Sequence, residues 1–146
     1  MQRVLNTKAR TLGVPDSELE SGFAWRSLLG ANPLEALIAL EICPLSLEYP
    51  IQDGDRPVIL SQDGYGIYDD DLNHQLQTAA DQAKIPLQRA NLSGFGSDAS
   101  IAMKNGHVGR AACLSFPTQN THGYEIAHLG AIARCADLLV RYCQMR

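Results

Sequence analysis

The spacing of apolar positions changes along the chain from continuous to helical to alternating, and each spacing predicts a different element. Residues 34–43, Leu-Glu-Ala-Leu-Ile-Ala-Leu-Glu-Ile-Cys, are apolar on both faces, as a central strand of a covered sheet would be, and Pro44 closes the run. Residues 57–61 predict a short strand; the turn Gln62-Asp63-Gly64-Tyr65-Gly66 follows, and Ile67-Tyr68 extends out of it. Leu72, Leu76, Ala79, Ala80 and Ala83 recur at spacings of 3 and 4 and form one stripe of a helix that Asp69, Asp70 and Asp71 open. Carboxylates in a first turn complement the helix dipole, which accounts for the Asp triplet better than metal binding does. Residues 85–92 alternate, as an edge or half-covered strand would, and residues 99–104 form a short helix. Residues 110–116 read as a buried strand. A final helix is expected from about Glu125 to Gln144, its core-facing stripe made by Ile126, Leu129, Ile132 or Ala133, Ala136, Leu139, Val140 and Cys143.

Strands that alternate with helices predict an α/β fold with a mostly parallel sheet sandwiched by helices. Residues 1–19 are polar and weakly patterned and read as an N-terminal extension. Organisation begins near Glu20, with a helix from Ala24 to Leu29 capped by Gly30, so residues 20–146 form the patterned unit. At 146 residues the chain has about the length of one domain.

Composition narrows the function classes. The net charge is −4 and the 12 Lys and Arg residues are scattered, which argues against nucleic acid and against an anionic membrane surface. No apolar run approaches the ~20 residues that span a bilayer, and the N-terminus lacks the apolar core of a signal peptide. The four cysteines form no CxxC pair and read as small buried hydrophobes with reduced thiols, which points to the cytoplasm.

Candidate chemistry concentrates in two loops. Ser93-Gly94-Phe95-Gly96-Ser97-Asp98-Ala99 carries Asp98, and Phe116-Pro117-Thr118-Gln119-Asn120-Thr121-His122-Gly123 carries His122 directly after a buried strand. Open α/β sheets present functional groups in this way, because ligands collect at the carboxyl ends of strands. Glu41 lies near the end of an apolar strand, where a buried carboxylate demands a cation, a metal or solvent. Phosphate-loop, HExxH and GxSxG signatures are absent. Histidine with carboxylates is the donor set of a catalytic zinc site that keeps a position open for water.

From about Glu20 to Tyr142 the chain resembles the C-terminal part of the catalytic domain of the tetrahedral, or glutamyl, aminopeptidases, a family of cocatalytic metallopeptidases. The carrying residues are Asn32-Pro33 with Ala36-Leu37-Ile38-Ala39-Leu40-Glu41, then Arg56-Pro57-Val58-Ile59-Leu60, Gly96-Ser97-Asp98-Ala99, and Pro117-Thr118 through His122. The resemblance implies hydrolysis of N-terminal residues from peptides by a site with two metal ions, zinc or cobalt. It implies His122, Glu41 and Glu20 as metal ligands, with Asp98, Ser97 and Thr121 lining the pocket. The family's base position aligns with Leu19, so no catalytic base is identified, and a histidine and a bridging aspartate of the family have no counterpart here. The resemblance therefore implies a partial, truncated site that is inactive alone. The implied partners are a peptide substrate and either copies of the same chain or a complementary N-terminal chain. The alternative is a non-catalytic α/β assembly or binding module derived from a metallopeptidase.

Overall fold

The computed structural model describes residues 36–145. The expected helix from Ala24 to Leu29, and the candidates Leu19 and Glu20, lie outside them.

Eight elements follow one another: β1 (Leu37–Pro44), β2 (Val58–Asp63), α1 (Asp70–Ala83), β3 (Gln88–Leu92), α2 (Asp98–Lys104), β4 (Ala111–Gln119), β5 (Ile126–Ala127) and α3 (Leu129–Gln144). The strands form one sheet in the order β1-β4-β2-β3, and β5 pairs with the end of β4. The pairing is mixed: β1–β4 and β2–β3 are parallel, while β2 meets β4 antiparallel. The carboxyl ends of β1 and β4 therefore lie at one end of the sheet, and those of β2 and β3 at the other.

Strand periodicity sorts side chains into two layers. Leu37, Ala39, Val58, Leu60 and Cys113 face one core together with Ala99 and Ala102 of α2. Ile59, Ala112 and Leu114 face the other, under α1 and α3. The register of β2 shifts between Leu60 and Gln62, a bulge that adds one residue to the strand. Without it Asp63 would follow Ile59 toward α1. With it, the Asp63 carboxylate turns under α2.

Helix α1 begins at Asp70, the second residue of the Asp triplet. Asp69 is its N-cap, and Asp69 Oδ1 accepts from the Leu72 N–H at 2.7 Å and from Arg110 Nη2 at 2.9 Å. That arginine holds the Asp69 carboxyl below the usual carboxylate range. Asp69→Ala is expected to lower stability by about 1–2 kcal/mol, from the lost cap and a partly exposed ion pair. Urea denaturation checks this; a loss below about 0.3 kcal/mol would mean that Asp70 replaces the cap.

The final helix departs from expectation in two ways. Ile126 and Ala127 pair with Gln119 and Thr118 as a short strand, so α3 starts at Leu129, with the His128 imidazole accepting from the Gly130 N–H. Its sheet-facing side is formed by Ala131, Cys135, Leu138, Leu139 and Tyr142. Of the expected stripe only Leu139 is buried; Leu129, Ile132, Ala133, Ala136, Val140 and Cys143 are exposed. The helix carries two apolar stripes, and polar tethers decide between them. Arg134 pairs with Asp55 at 2.9 Å, and Arg141 donates to Gln82 of α1 at 2.8 Å. Both tethers require the rotation observed.

Candidate active site

The most consequential local structure surrounds Asp63. This side chain is 1% exposed. Its Oδ1 accepts from the backbone N–H groups of Tyr65 (2.8 Å) and Gly66 (3.2 Å). Its Oδ2 accepts from the Tyr68 hydroxyl (2.5 Å), the Ser100 hydroxyl (2.5 Å) and the Ser97 N–H (3.0 Å). Burial alone would raise its pKa, but these hydrogen bonds outweigh burial and hold the carboxyl below its ordinary value. Sequence reasoning assigned Asp63 to a turn; the signal for more was Ser97 three residues before Ser100, the spacing of a capping box.

This network fixes the start of α2. Ser97 is its N-cap, with its hydroxyl accepting from the Ser100 N–H, and Ser100 reaches back to the Ser97 N–H. The loop before it needs Gly96: a Cβ there would lie 2.0 Å from the Tyr65 ring, which packs across the loop and also receives Lys104 5.1 Å from its centroid.

With α2 so placed, Asp98 reaches across the sheet to β1. The Asp98 N–H donates to the Glu41 carboxylate. Glu41 is half-buried on the α2 side, opposite Ser115 of β4. Burial pushes its pKa from 4.5 up to about 7; the Asp98 and Asp63 carboxylates add to the rise, and the Asp98 hydrogen bond opposes it. A carboxyl tuned near neutrality can hold a proton, release one, or bind a cation, and such groups concentrate at functional sites. Beside it, burial raises the Cys113 thiol well above its ordinary value, and that of Cys43 to about 11. Both are inert core thiols, and all four cysteines are free.

The second loop lies elsewhere. Thr121 and His122 follow β4, beyond the end where Thr118 pairs with Pro44. His122 is exposed, with φ at 65° in the left-handed region, as is Asn120 at 55°. The His122 N–H donates to Glu125 Oε1 at 3.1 Å. Because β3 and β4 run in opposite senses, the loops bearing Asp98 and His122 leave the sheet at opposite ends. Asp98 meets Glu41 because the loop after β3 carries the start of α2 over the sheet to β1. The structure thus joins Glu41 with Asp98, commits Ser97 to the Asp63 network, and holds Thr121 and His122 in an exposed loop.

The donor chemistry can be tested for a metal pair. Among the described residues no three His, Cys, Asp or Glu side chains converge on one point, and Asp63 spends both oxygens on five donors. These residues by themselves do not fit a dimetal centre. Among them, too, no helix is long and apolar enough to cross a membrane.

No curated protein matches the chain. Solved structures do. The TET1 peptidase of Pyrococcus horikoshii, described as assembling into a tetrahedron or a large octahedral shell, is 25% identical over 85% of this chain, with a TM-score of 0.68. A TET aminopeptidase from a marine sediment archaeon of the Thaumarchaeota is 21% identical over 82%, with a TM-score of 0.73. An aminopeptidase of the archaeon Desulfurococcus kamchatkensis is 24% identical over 86%, with a TM-score of 0.69. This chain spans only 37%, 35% and 38% of their respective lengths. The sequence profile of the M42 glutamyl aminopeptidases matches residues 26–138, more than half of the chain, and the chain belongs to that family.

Proposed function

We propose that this chain is a truncated, C-terminal part of a metal-dependent aminopeptidase domain, and that it carries one wall of a peptide-hydrolysing site. The observation that carries this reading is the Glu41–Asp98 contact, in which a half-buried carboxyl is held near neutrality at a position where the family resemblance implies a metal ligand. Glu41, with His122 and Glu20, would hold zinc or cobalt, which when bound supplies a Lewis acid and an activated water. Asp98 would line the pocket beside Glu41, with the fully buried Ser97 setting its position from behind, and Thr121 would line the His122 side. The described residues do the shaping: Asp63 locks α2, α2 sets Asp98, and Asp98 orients Glu41. The remaining donors and a base must come from residues outside 36–145 or from another polypeptide, a further copy or a complementary N-terminal chain. Four free thiols suit a reducing cytoplasm.

Metal titration followed by thermal unfolding tests the wall. Zinc or cobalt is expected to raise the melting temperature of the wild type, and the rise is expected to vanish in Glu41→Gln and His122→Ala. Absence of any rise in the wild type rejects the metal wall. It would support the second reading, a non-catalytic α/β assembly module, which the lack of a three-donor cluster among the described residues favours. Hydrolysis of leucine or glutamate anilides by the chain alone would reject the incompleteness of the site.

A further inference from the structure

Among the described residues β1 is one of the two edge strands of the sheet, β3 being the other, and nothing pairs with the outer edge of β1. The Leu37 N–H donates to the Arg110 carbonyl and the Leu45 N–H to that of Thr118, both at 3.0 Å, so odd-numbered residues turn their backbone groups toward β4. Alternation then points the N–H and C=O groups of Ile38, Leu40 and Ile42 outward. The side chains of these three residues face the α1–α3 layer and stay only half-buried.

Above them runs the second apolar stripe of α3. At 100° per residue, with Cys135 set at zero, Arg141 lies at roughly −120° and holds α1 through Gln82. Ile132, Cys143, Ala136, Leu129, Val140 and Ala133 fall between roughly +60° and +160°, on the opposite flank. Helix α1 packs over β2 and β4, and α3 over β4, so that flank overlooks β1. Leu129 is 81% exposed, Val140 57% and Ile132 42%. No charged residue interrupts the stripe. An open strand edge and an exposed apolar helix flank thus meet along one side of the molecule.

We infer that a second copy of this chain docks on this side, with β1 pairing antiparallel to its mate about a twofold axis through Leu40. A twofold interface must be self-complementary, and this surface is. Centred on Leu40, the pairing sets Leu40 against Leu40 and Ile38 against Ile42. These are the residues whose backbone groups point outward, so each pair exchanges both of its hydrogen bonds. Glu41 then lies opposite Ala39 of the other copy, and no like charges face each other directly. The layer above fits as well. Four strands, β4 and β1 from each copy, make a floor about 19 Å wide at about 4.8 Å per strand. Two helices about 10 Å across fill that width. The two α3 helices meet antiparallel through the stripes that each leaves exposed. An unprotected flat edge is a hazard that proteins cover, and here the same contact covers both edge and stripe.

This inference specifies the assembly part of the function proposed above, and its test separates the two. Sedimentation equilibrium at micromolar concentration is expected to give twice the 15.9 kDa chain mass. Val140→Asp, at a half-exposed site, is expected to return the chain mass without changing the far-ultraviolet dichroism. In that variant the amides of Ile38, Leu40 and Ile42 are expected to exchange at least about tenfold faster. Asp71→Asn, on the exposed side of α1, is expected to stay dimeric. A monomeric wild type overturns the inference and assigns the edge to residues 1–35 or to a complementary chain. A Val140→Asp variant that remains dimeric also overturns it, and leaves assembly in place through another surface.

Discussion

Asp63→Ala is expected to remove on the order of 4 kcal/mol of stability, most of what a small domain has. The substitution removes the acceptor that five donors share, and only some of them keep another partner within the Tyr68–Ser97–Ser100 cluster. Each of the Tyr68 and Ser100 hydroxyls and the Ser97, Tyr65 and Gly66 N–H groups loses a charged acceptor. Hydrogen bonds to charged groups contribute about 1.5–3 kcal/mol each, but bonds that share one acceptor do not add. A buried donor left without an acceptor costs about 1–3 kcal/mol, and water entering the vacated volume recovers part of that. Asp63→Asn keeps the shape and one acceptor oxygen, so it is expected to lose about half as much. Urea denaturation measures both. At a slope of about 1.5 kcal/mol/M the alanine variant should unfold roughly 2–3 M earlier. A shift below about 0.5 M would show that the network is replaceable and that α2 is positioned by packing alone. The folded pKa of Asp63 is depressed, so its contribution is present above the unfolded carboxylate range and is lost as pH falls through the folded value.

Glu41 acts in the opposite direction. Its folded pKa, about 7, stands above the unfolded value, so the folded state holds the proton more tightly. The stability this provides is complete below about pH 4.5 and is lost as pH rises toward 7. A rise from 4.5 to about 7 corresponds to roughly 3 kcal/mol at most, and partial exposure of the side chain reduces that to about 2 kcal/mol. Glu41→Gln keeps the shape without the charge. Its stability relative to wild type is expected to be level at pH 4.5 and about 2 kcal/mol higher at pH 8. Because Asp63 and Asp69 are both held below the usual carboxylate range, they stay ionised in both proteins from pH 4.5 to 8, and the difference between the two curves reports Glu41. A flat difference from pH 4.5 to 8 would show that Glu41 is solvated, and would remove the main support for a tuned site.

Much of the fold is legible in the sequence where one signal dominates. The continuous apolar run before Pro44, the 3–4 spacing from Leu72 to Ala83 and the buried run into Phe116 all emerge as the expected elements. Strand direction is not legible, because side-chain pattern is the same whichever way a strand runs. The antiparallel contact between β2 and β4 therefore had no signal, and the loops bearing Asp98 and His122 read as one cluster. On α3 two stripes competed, and the larger residues favoured the wrong one. Arg134 and Arg141 settle the rotation through Asp55 and Gln82, partners 79 and 59 residues away in sequence. At the candidate site Glu41 and Asp98 were legible from their motifs. Asp63 was not, because its donors come from two separate segments, residues 65–68 and 97–100.

The extra residue in β2 has an evolutionary consequence. A strand delivers its side chains to two compartments by parity, so the address of every residue downstream depends on a count and not on identity. One insertion near Ser61 sends the Asp63 carboxylate to the compartment that contains Tyr68, Ser97 and Ser100. Loss of one residue there would change no functional group, yet it would post the same charge into the aliphatic layer beneath α1. In this family member, single-residue length changes in β2 should be tolerated far less than substitutions at the same positions.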